Sequence, residues 1–264
     1  MAVIFYLSGT GNSLYAAKSI AQELEQCRLE GITGYLKAPY EVQDEVVGIV
    51  CPVYCMALPP VVEAFLQQVK MVPQYIFLVV TMGAMSGQAL GQGKELLKQR
   101  ELRLSYGAQV ALPDNSIVFP SPQARQEKLL RSAPAELGLI ARNIKNKYDN
   151  YQHLDRGFLW KYGGTAAGMW VLDKIKQFGK LSCADDKCVG CGICAEVCPA
   201  GNITMAAGKP AFGSECVHCF GCAHWCPQNA ISLGRLKPDL KTRYKHPEIT
   251  SAELAVQKER KEEV

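Results

Sequence analysis

Residues 2–21 read AVIFYLSGTGNSLYAAKSIA, and the order of character along them decides the fold. Residues 3–7 form a short unbroken apolar run that stops at Ser8, Gly9, Thr10 and Gly11. A run of that length closed by turn residues is a strand buried on both faces, as strands of parallel sheets are. Beyond the loop, Leu14, Ala17, Ile20, Ala21 and Leu24 recur at helical spacing. The same alternation continues downstream. Apolar runs at 46–50 and 76–80 and a strand-like 109–112 are interleaved with helical stretches at about 60–69 and 89–102, and 126–148 reads as a closing helix. Short buried strands alternating with helices of ten or more residues predict an α/β domain with a doubly wound parallel sheet.

The loop at 8–13, SGTGNS, opens the first helix. Unpaired backbone N–H groups and the helix dipole converge there, and the hydroxyls of Ser8, Thr10 and Ser13 add donors, so the pattern suits a phosphate. The lysine of the nucleoside-triphosphate loop is missing, and Gly9 and Gly11 lack the third glycine of the dinucleotide fingerprint. Two more loops follow strands and belong to the same carboxyl edge: CPVYCMALPP at 51–60 and TMGAMSGQ at 81–88. The candidate ligand-binding residues are Ser8, Gly9, Thr10, Gly11, Asn12, Ser13, Pro52, Val53, Tyr54, Thr81, Met82, Gly83 and Gly87.

Residues 183–233 change character, and nine of the 12 cysteines lie between Cys183 and Cys226. Without export features these are expected to be thiols or metal ligands. KCVGCGICAEVCPAGNITM at 187–205 aligns without a gap with ECVHCFGCAHWCPQNAISL at 215–233, 28 residues on. Each half carries C-x2-C-x2-C-x3-C-P. Three thiolates two residues apart wrap three corners of an iron–sulfur cube, and in this spacing the fourth cysteine serves the other cluster. The expected sets are Cys188, Cys191, Cys194 with Cys226, and Cys216, Cys219, Cys222 with Cys198. Such interleaving ties both halves into a unit that needs metal to fold. Structural zinc sites instead use cysteine pairs separated by a longer insert. Cys183 stands outside the pattern as a buried thiol, Cys27 and Cys51 read as packing residues, and Cys55 reads as a small apolar loop residue. The four histidines, His153, His218, His224 and His246, share no ligand spacing.

The cysteine repeat is similar to the bacterial two-cluster ferredoxins over essentially its whole length, and the hydroxyl-lined loop resembles the FMN site of flavodoxins. With the PVY of the second loop, the CPAGNI run and the HWCP-x-x-AI ending, residues 1–233 resemble the fused flavodoxin–ferredoxin iron–sulfur flavoproteins of anaerobes, the EFR type. The resemblance implies a flavodoxin-like sheet with a small α+β ferredoxin-like domain, FMN and two [4Fe-4S] clusters as cofactors, and a role in electron transfer. It places Tyr54 over the isoalloxazine and the Met82 and Gly83 backbone at the ring edge. Flavodoxins often carry an aromatic residue where Met82 stands, so one flavin face is expected to be more open or differently covered.

The expected divisions are 1–150 for the flavodoxin-like domain, 151–182 for a helical connector, 183–234 for the ferredoxin-like domain, and 235–264 for a charged tail read as a solvated face. The 29 basic and 25 acidic residues give a net charge of +4 and are interspersed, so nucleic acid is not an expected partner. No apolar run reaches the roughly 18 residues of a membrane span, and the opening residues lack a signal-peptide pattern, so a cytoplasmic protein is expected. The functional expectation is a carrier that passes electrons between two clusters and FMN, linking a low-potential donor to a partner reductase. The alternative is a flavin-dependent reductase acting directly on a quinone, nitro compound or conjugated ketone. No acid–base pair or nucleophile triad stands out in the sequence, and the oligomeric state is left open.

Overall fold

The computed structural model describes residues 1–116, 120–153, 170, 181–184, 186–234 and 243–259. In the N-terminal part the elements run β1 (Ala2–Tyr6), α1 (Asn12–Ala21), β2 (Cys27–Gly31), α2 (Ile32–Lys37), β3 (Glu41–Val42), β4 (Val46–Pro52), α3 (Pro60–Gln68), β5 (Lys70–Met71), β6 (Tyr75–Met82), α4 (Ala89–Lys98), β7 (Tyr106–Ala111) and α5 (Gln123–Lys145). Five strands form one parallel sheet in the order β2-β1-β4-β6-β7, while the two-residue β3 and β5 pair separately. Setting that short pair aside, the order is 2-1-3-4-5, the flavodoxin-type doubly wound arrangement.

Both faces are covered, which explains the unbroken apolar runs of the central strands. Val3, Phe5 and Leu7 enter the core under α2, α3 and α4, whereas Ile4 and Tyr6 enter the core under α1 and α5. The edge strand β2, CRLEG, carries no such run. Its Arg28 holds Glu30 at 2.7 Å and Asp44 at 2.6 Å, so the strand is fixed by ion pairs along the edge as well as by burial.

The cysteine-rich unit is built on the 28-residue repeat. Short helices Ile193–Glu196 and Gly221–Trp225 start 28 residues apart, as do β9 (Ile203–Ala206) and β11 (Ile231–Leu233). β9 pairs antiparallel with β10 (Lys209–Phe212), and β11 with β8 (Leu181–Cys183). Most of the connector expected over 151–182 lies outside the described residues.

The tail departs from the reading of a solvated face. Within 243–259, Tyr244, His246, Ile249, Leu254 and Gln257 are buried, and the segment returns across the N-terminal part of the chain. Its short helix Ser251–Ala255 is opened by a capping box between Thr250 and Glu253. Gln257 grips the main chain of Ser8: its Oε1 accepts the Ser8 N–H at 3.0 Å and its Nε2 donates to the Ser8 carbonyl at 2.8 Å. The Gln257 carbonyl accepts the Thr33 hydroxyl at 3.1 Å, and a Cβ on Gly31 would stand 1.7 Å from that carbonyl, so only glycine fits there. Gln257→Ala leaves two buried main-chain groups of Ser8 unpaired and is expected to destabilise the protein by about 2–3 kcal/mol, read as a lowered thermal midpoint. Among the described residues no helix is long and apolar enough to cross a membrane.

Candidate functional site

The loops that follow β1, β4, β6 and β7 meet at the carboxyl edge of the sheet around a cavity of about 420 Å³, within the range of small-molecule sites. Ser8, Gly9, Thr10, Asn12, Ser13, Pro52, Val53, Tyr54, Thr81, Met82 and Gly83 all stand in its wall. Two candidates do not. Gly11, at φ 101, is the N-cap of α1 and faces His246 and Ile249, and Gly87, at φ 55, backs onto Met56.

The loop at 8–13 is held from several sides. The Ser8 hydroxyl accepts the Gly11 N–H at 3.2 Å, the Thr10 hydroxyl accepts from Asn115 Nδ2 at 3.1 Å, and the Ser13 and Thr81 hydroxyls lie 2.9 Å apart. Asn12 donates to the Pro113 carbonyl at 2.9 Å and accepts the Tyr244 hydroxyl at 2.7 Å. Three hydroxyls thus stand beside the first turn of a ten-residue helix, whose leading amides have no partner within the helix. This donor set fits a phosphate group.

Tyr54 is set by a tight hairpin. Tyr54 and Ala57 exchange main-chain hydrogen bonds of 2.9 Å, and the two residues between them, Cys55 and Met56, take positive φ of 47° and 66°. That pair of left-handed residues matches the sense of twist such a turn needs. Burial raises the Tyr54 hydroxyl pKa, and negative charge at Cys219 and Cys216 adds to the rise. Across the cavity, Asp114 approaches the Gly83 backbone, where a Cβ would lie 2.5 Å from its own. Burial pushes the Asp114 carboxyl up, against the Ser116 N–H and the Arg125 charge that pull it down.

The remaining wall is the part that sequence reasoning missed. Asp114 and Asn115 come from the loop after β7, and His218, Cys219 and Phe220 come from the cysteine repeat. The two units touch backbone to backbone. A Cβ on Gly9 would lie 2.7 Å from the Cys219 carbonyl oxygen, and one on Gly221 would lie 2.6 Å from the Gly9 carbonyl oxygen. The Trp225 indole N–H donates to that same Gly9 carbonyl at 3.2 Å. His224 joins three segments: Nδ1 accepts the Tyr244 N–H at 3.1 Å, which leaves Nε2 to donate to the Asn115 carbonyl at 2.7 Å. The bond accepted by Nδ1 requires the neutral ring, and burial lowers the His224 pKa to about 4 against the Asn115 bond, which raises it.

The cysteines gather as two groups. Cys188, Cys191, Cys194 and Cys226 line one small cavity, with Cys183 beside them. In the other group Cys198 lies close enough to Cys216, Cys219 and Cys222 for its charge to act on each of them. Burial pushes the Cys219 thiol up to about 12, with Cys198 and Cys216 adding to it. The repeat extends to the sulfurs: Asn202 N–H donates to Cys198 Sγ and, 28 residues on, Ala230 N–H donates to Cys226 Sγ, both at 3.3 Å. Amide donors on a ligand sulfur withdraw charge and tune a cluster's potential. Among the described residues no three Cys, His, Asp or Glu side chains converge as one metal ion needs. Cys183 lines the small cavity together with the four cysteines of the expected set.

Residues 187–231 match the family model of the 4Fe-4S dicluster domain. No curated protein matches the sequence. Among solved structures, the chain is similar to a putative flavoprotein from Bacteroides uniformis (14% identity, 49% of this chain and 97% of that one, TM-score 0.33). It is similar also to flavodoxins of Streptococcus pneumoniae TIGR4 (14%, 53% and 98%, 0.33) and Megasphaera elsdenii (20%, 53% and 98%, 0.34). Such distant likenesses carry no argument beside the strand order, which stands on its own. The chain therefore joins a flavodoxin-type α/β sheet to an iron–sulfur domain of the 4Fe-4S dicluster kind.

Proposed function

We propose that this chain is an electron-transfer iron–sulfur flavoprotein, with FMN in the 420 Å³ cavity and two [4Fe-4S] clusters on the crossed cysteine sets. The observation that carries the reading is Cys219, which belongs to one cysteine set and also stands in the cavity wall. FMN bound there would supply one- and two-electron redox chemistry. Ser8, Thr10, Ser13 and the first-turn amides of α1 hold the phosphate. Tyr54, Met82 and Gly83 hold the ring.

Each set holds two buried cysteines, Cys194 and Cys226 in one and Cys219 and Cys222 in the other, but they differ at Cys191, which is exposed beside Val189 at 64% and Met205 at 37% exposure. The Cys188 set is thus the port for a redox partner protein, and the Cys216 set hands electrons to the cavity. Ligands of this kind suit a reducing compartment such as the cytoplasm. A second reading, direct reduction of a small acceptor, rests on Asp114, a carboxyl in the cavity wall whose pKa burial raises.

Purified without oxygen, the full chain is expected to hold about eight iron atoms and one FMN. Reduction by a viologen radical is expected to reach the flavin only when the clusters are present. Material with zinc and no flavin would end this reading. Sustained turnover of a quinone by the protein alone, lost in Asp114→Asn, would favour the second.

A further inference from the structure

The 28-residue repeat sets a left-handed backbone at three pairs of positions, and the two halves fill them differently. The first half uses Gly190, Gly192 and Gly201, at φ 69°, 76° and 64°, and the second uses His218, Phe220 and Asn229, at 54°, 55° and 50°. Glycine takes this conformation freely, whereas a residue with a Cβ is strained there. Asparagine tolerates it well and histidine moderately, while a bulky aromatic residue does so at a clear cost. The first half shows that the cluster-binding turn itself asks only for glycine.

The cavity separates the three positions. His218 and Phe220 flank Cys219 and form the iron–sulfur side of the wall, while Asn229, the residue type that least needs explaining, does not line it. Both His218 and Phe220 are half-buried and line the cavity. Strain held at a ligand site and absent from its internal copy calls for a return elsewhere.

We propose that His218 and Phe220 are ligand-contacting residues of the flavin site, kept against backbone strain because they supply the wall that packs on the planar ring and keeps water from Cys219. This rests on the flavin reading above. Aromatic and imidazole rings pack well on a planar heteroaromatic surface. They also supply cover from the iron–sulfur side, in a site where Met82 stands in place of a covering aromatic.

The test uses the full chain, purified without oxygen, with FMN removed and then titrated back. His218→Gly and Phe220→Gly are each expected to weaken FMN binding about 3- to 10-fold and to alter the shape of the bound flavin's absorption bands. The thermal midpoint and iron content of the flavin-free protein are expected to hold or rise, because the left-handed strain is relieved. Phe220→Tyr should keep the parent's affinity. Gly192→Ala, whose Cβ meets nothing within 4 Å, isolates the backbone effect: a lower midpoint with unchanged FMN affinity. The proposal is overturned if both glycine variants bind FMN as the parent does. It is also overturned if affinity and midpoint fall together in them, which is the mark of a purely structural role. A parent protein that takes up iron but no FMN would refute the flavin reading, and this proposal with it, before any variant is compared.

Discussion

Cys226→Ala is expected to empty the cluster site of Cys188, Cys191 and Cys194 while leaving that of Cys216, Cys219, Cys222 and Cys198 filled, so that iron falls from about eight to about four atoms per chain. Cys226 lies downstream of all three, beyond the whole second triplet, yet it lines the same cavity as they do. Cys198→Ala is the mirror case and has the larger functional effect, because the lost cluster is the one beside the ligand cavity. The iron count and the spectrum of the remaining cluster decide this assignment. Loss of the Cys216 set in Cys226→Ala would show that each run binds its own cluster. Because each half contributes a ligand to the other's site, both variants should also unfold at lower temperature.

Gly221→Ala is expected to slow the arrival of electrons at the cavity without removing any ligand. The added Cβ would lie 2.6 Å from the Gly9 carbonyl oxygen, and both partners are backbone, so no flexible side chain can turn away. The iron–sulfur unit must shift off the loop at 8–13, lengthening the Trp225 bond to Gly9 that now measures 3.2 Å. Overpacking of this sort costs about 1–3 kcal/mol. In rapid-mixing reduction the clusters should fill at the parent's rate and the flavin more slowly. Gly9→Ala, 2.7 Å from the Cys219 carbonyl oxygen, should add weaker FMN binding because it also alters the phosphate loop. Unchanged flavin reduction in Gly221→Ala would mean that this contact does not set the path.

Much of this arrangement is legible in the sequence because the determining contacts are local. β1, β4 and β6 are covered on both faces, so burial writes them as continuous apolar runs. The cysteine spacing is itself the geometry of the turn that holds a cube. β2 is harder to read because an edge strand needs no such run, and its Arg28 and Glu30 answer each other along the strand. The far wall of the cavity depends on docking between residues more than 200 positions apart, as the Trp225 bond to Gly9 shows. One signal was nevertheless present: in the aligned halves, His218 and Phe220 stand opposite Gly190 and Gly192. The packed tail gives no comparable sign. Its buried residues, Tyr244, His246, Ile249, Leu254 and Gln257, follow no single period because the segment alternates extended chain with a five-residue helix.

The grip of Gln257 on Ser8 sets the order of synthesis against the order of assembly. A ribosome makes Ser8 249 residues before the amide that satisfies its main chain. The loop therefore emerges early and waits, incomplete, through translation of both the sheet and the cysteine repeat, and cofactor capture by the finished loop follows the synthesis of Gln257.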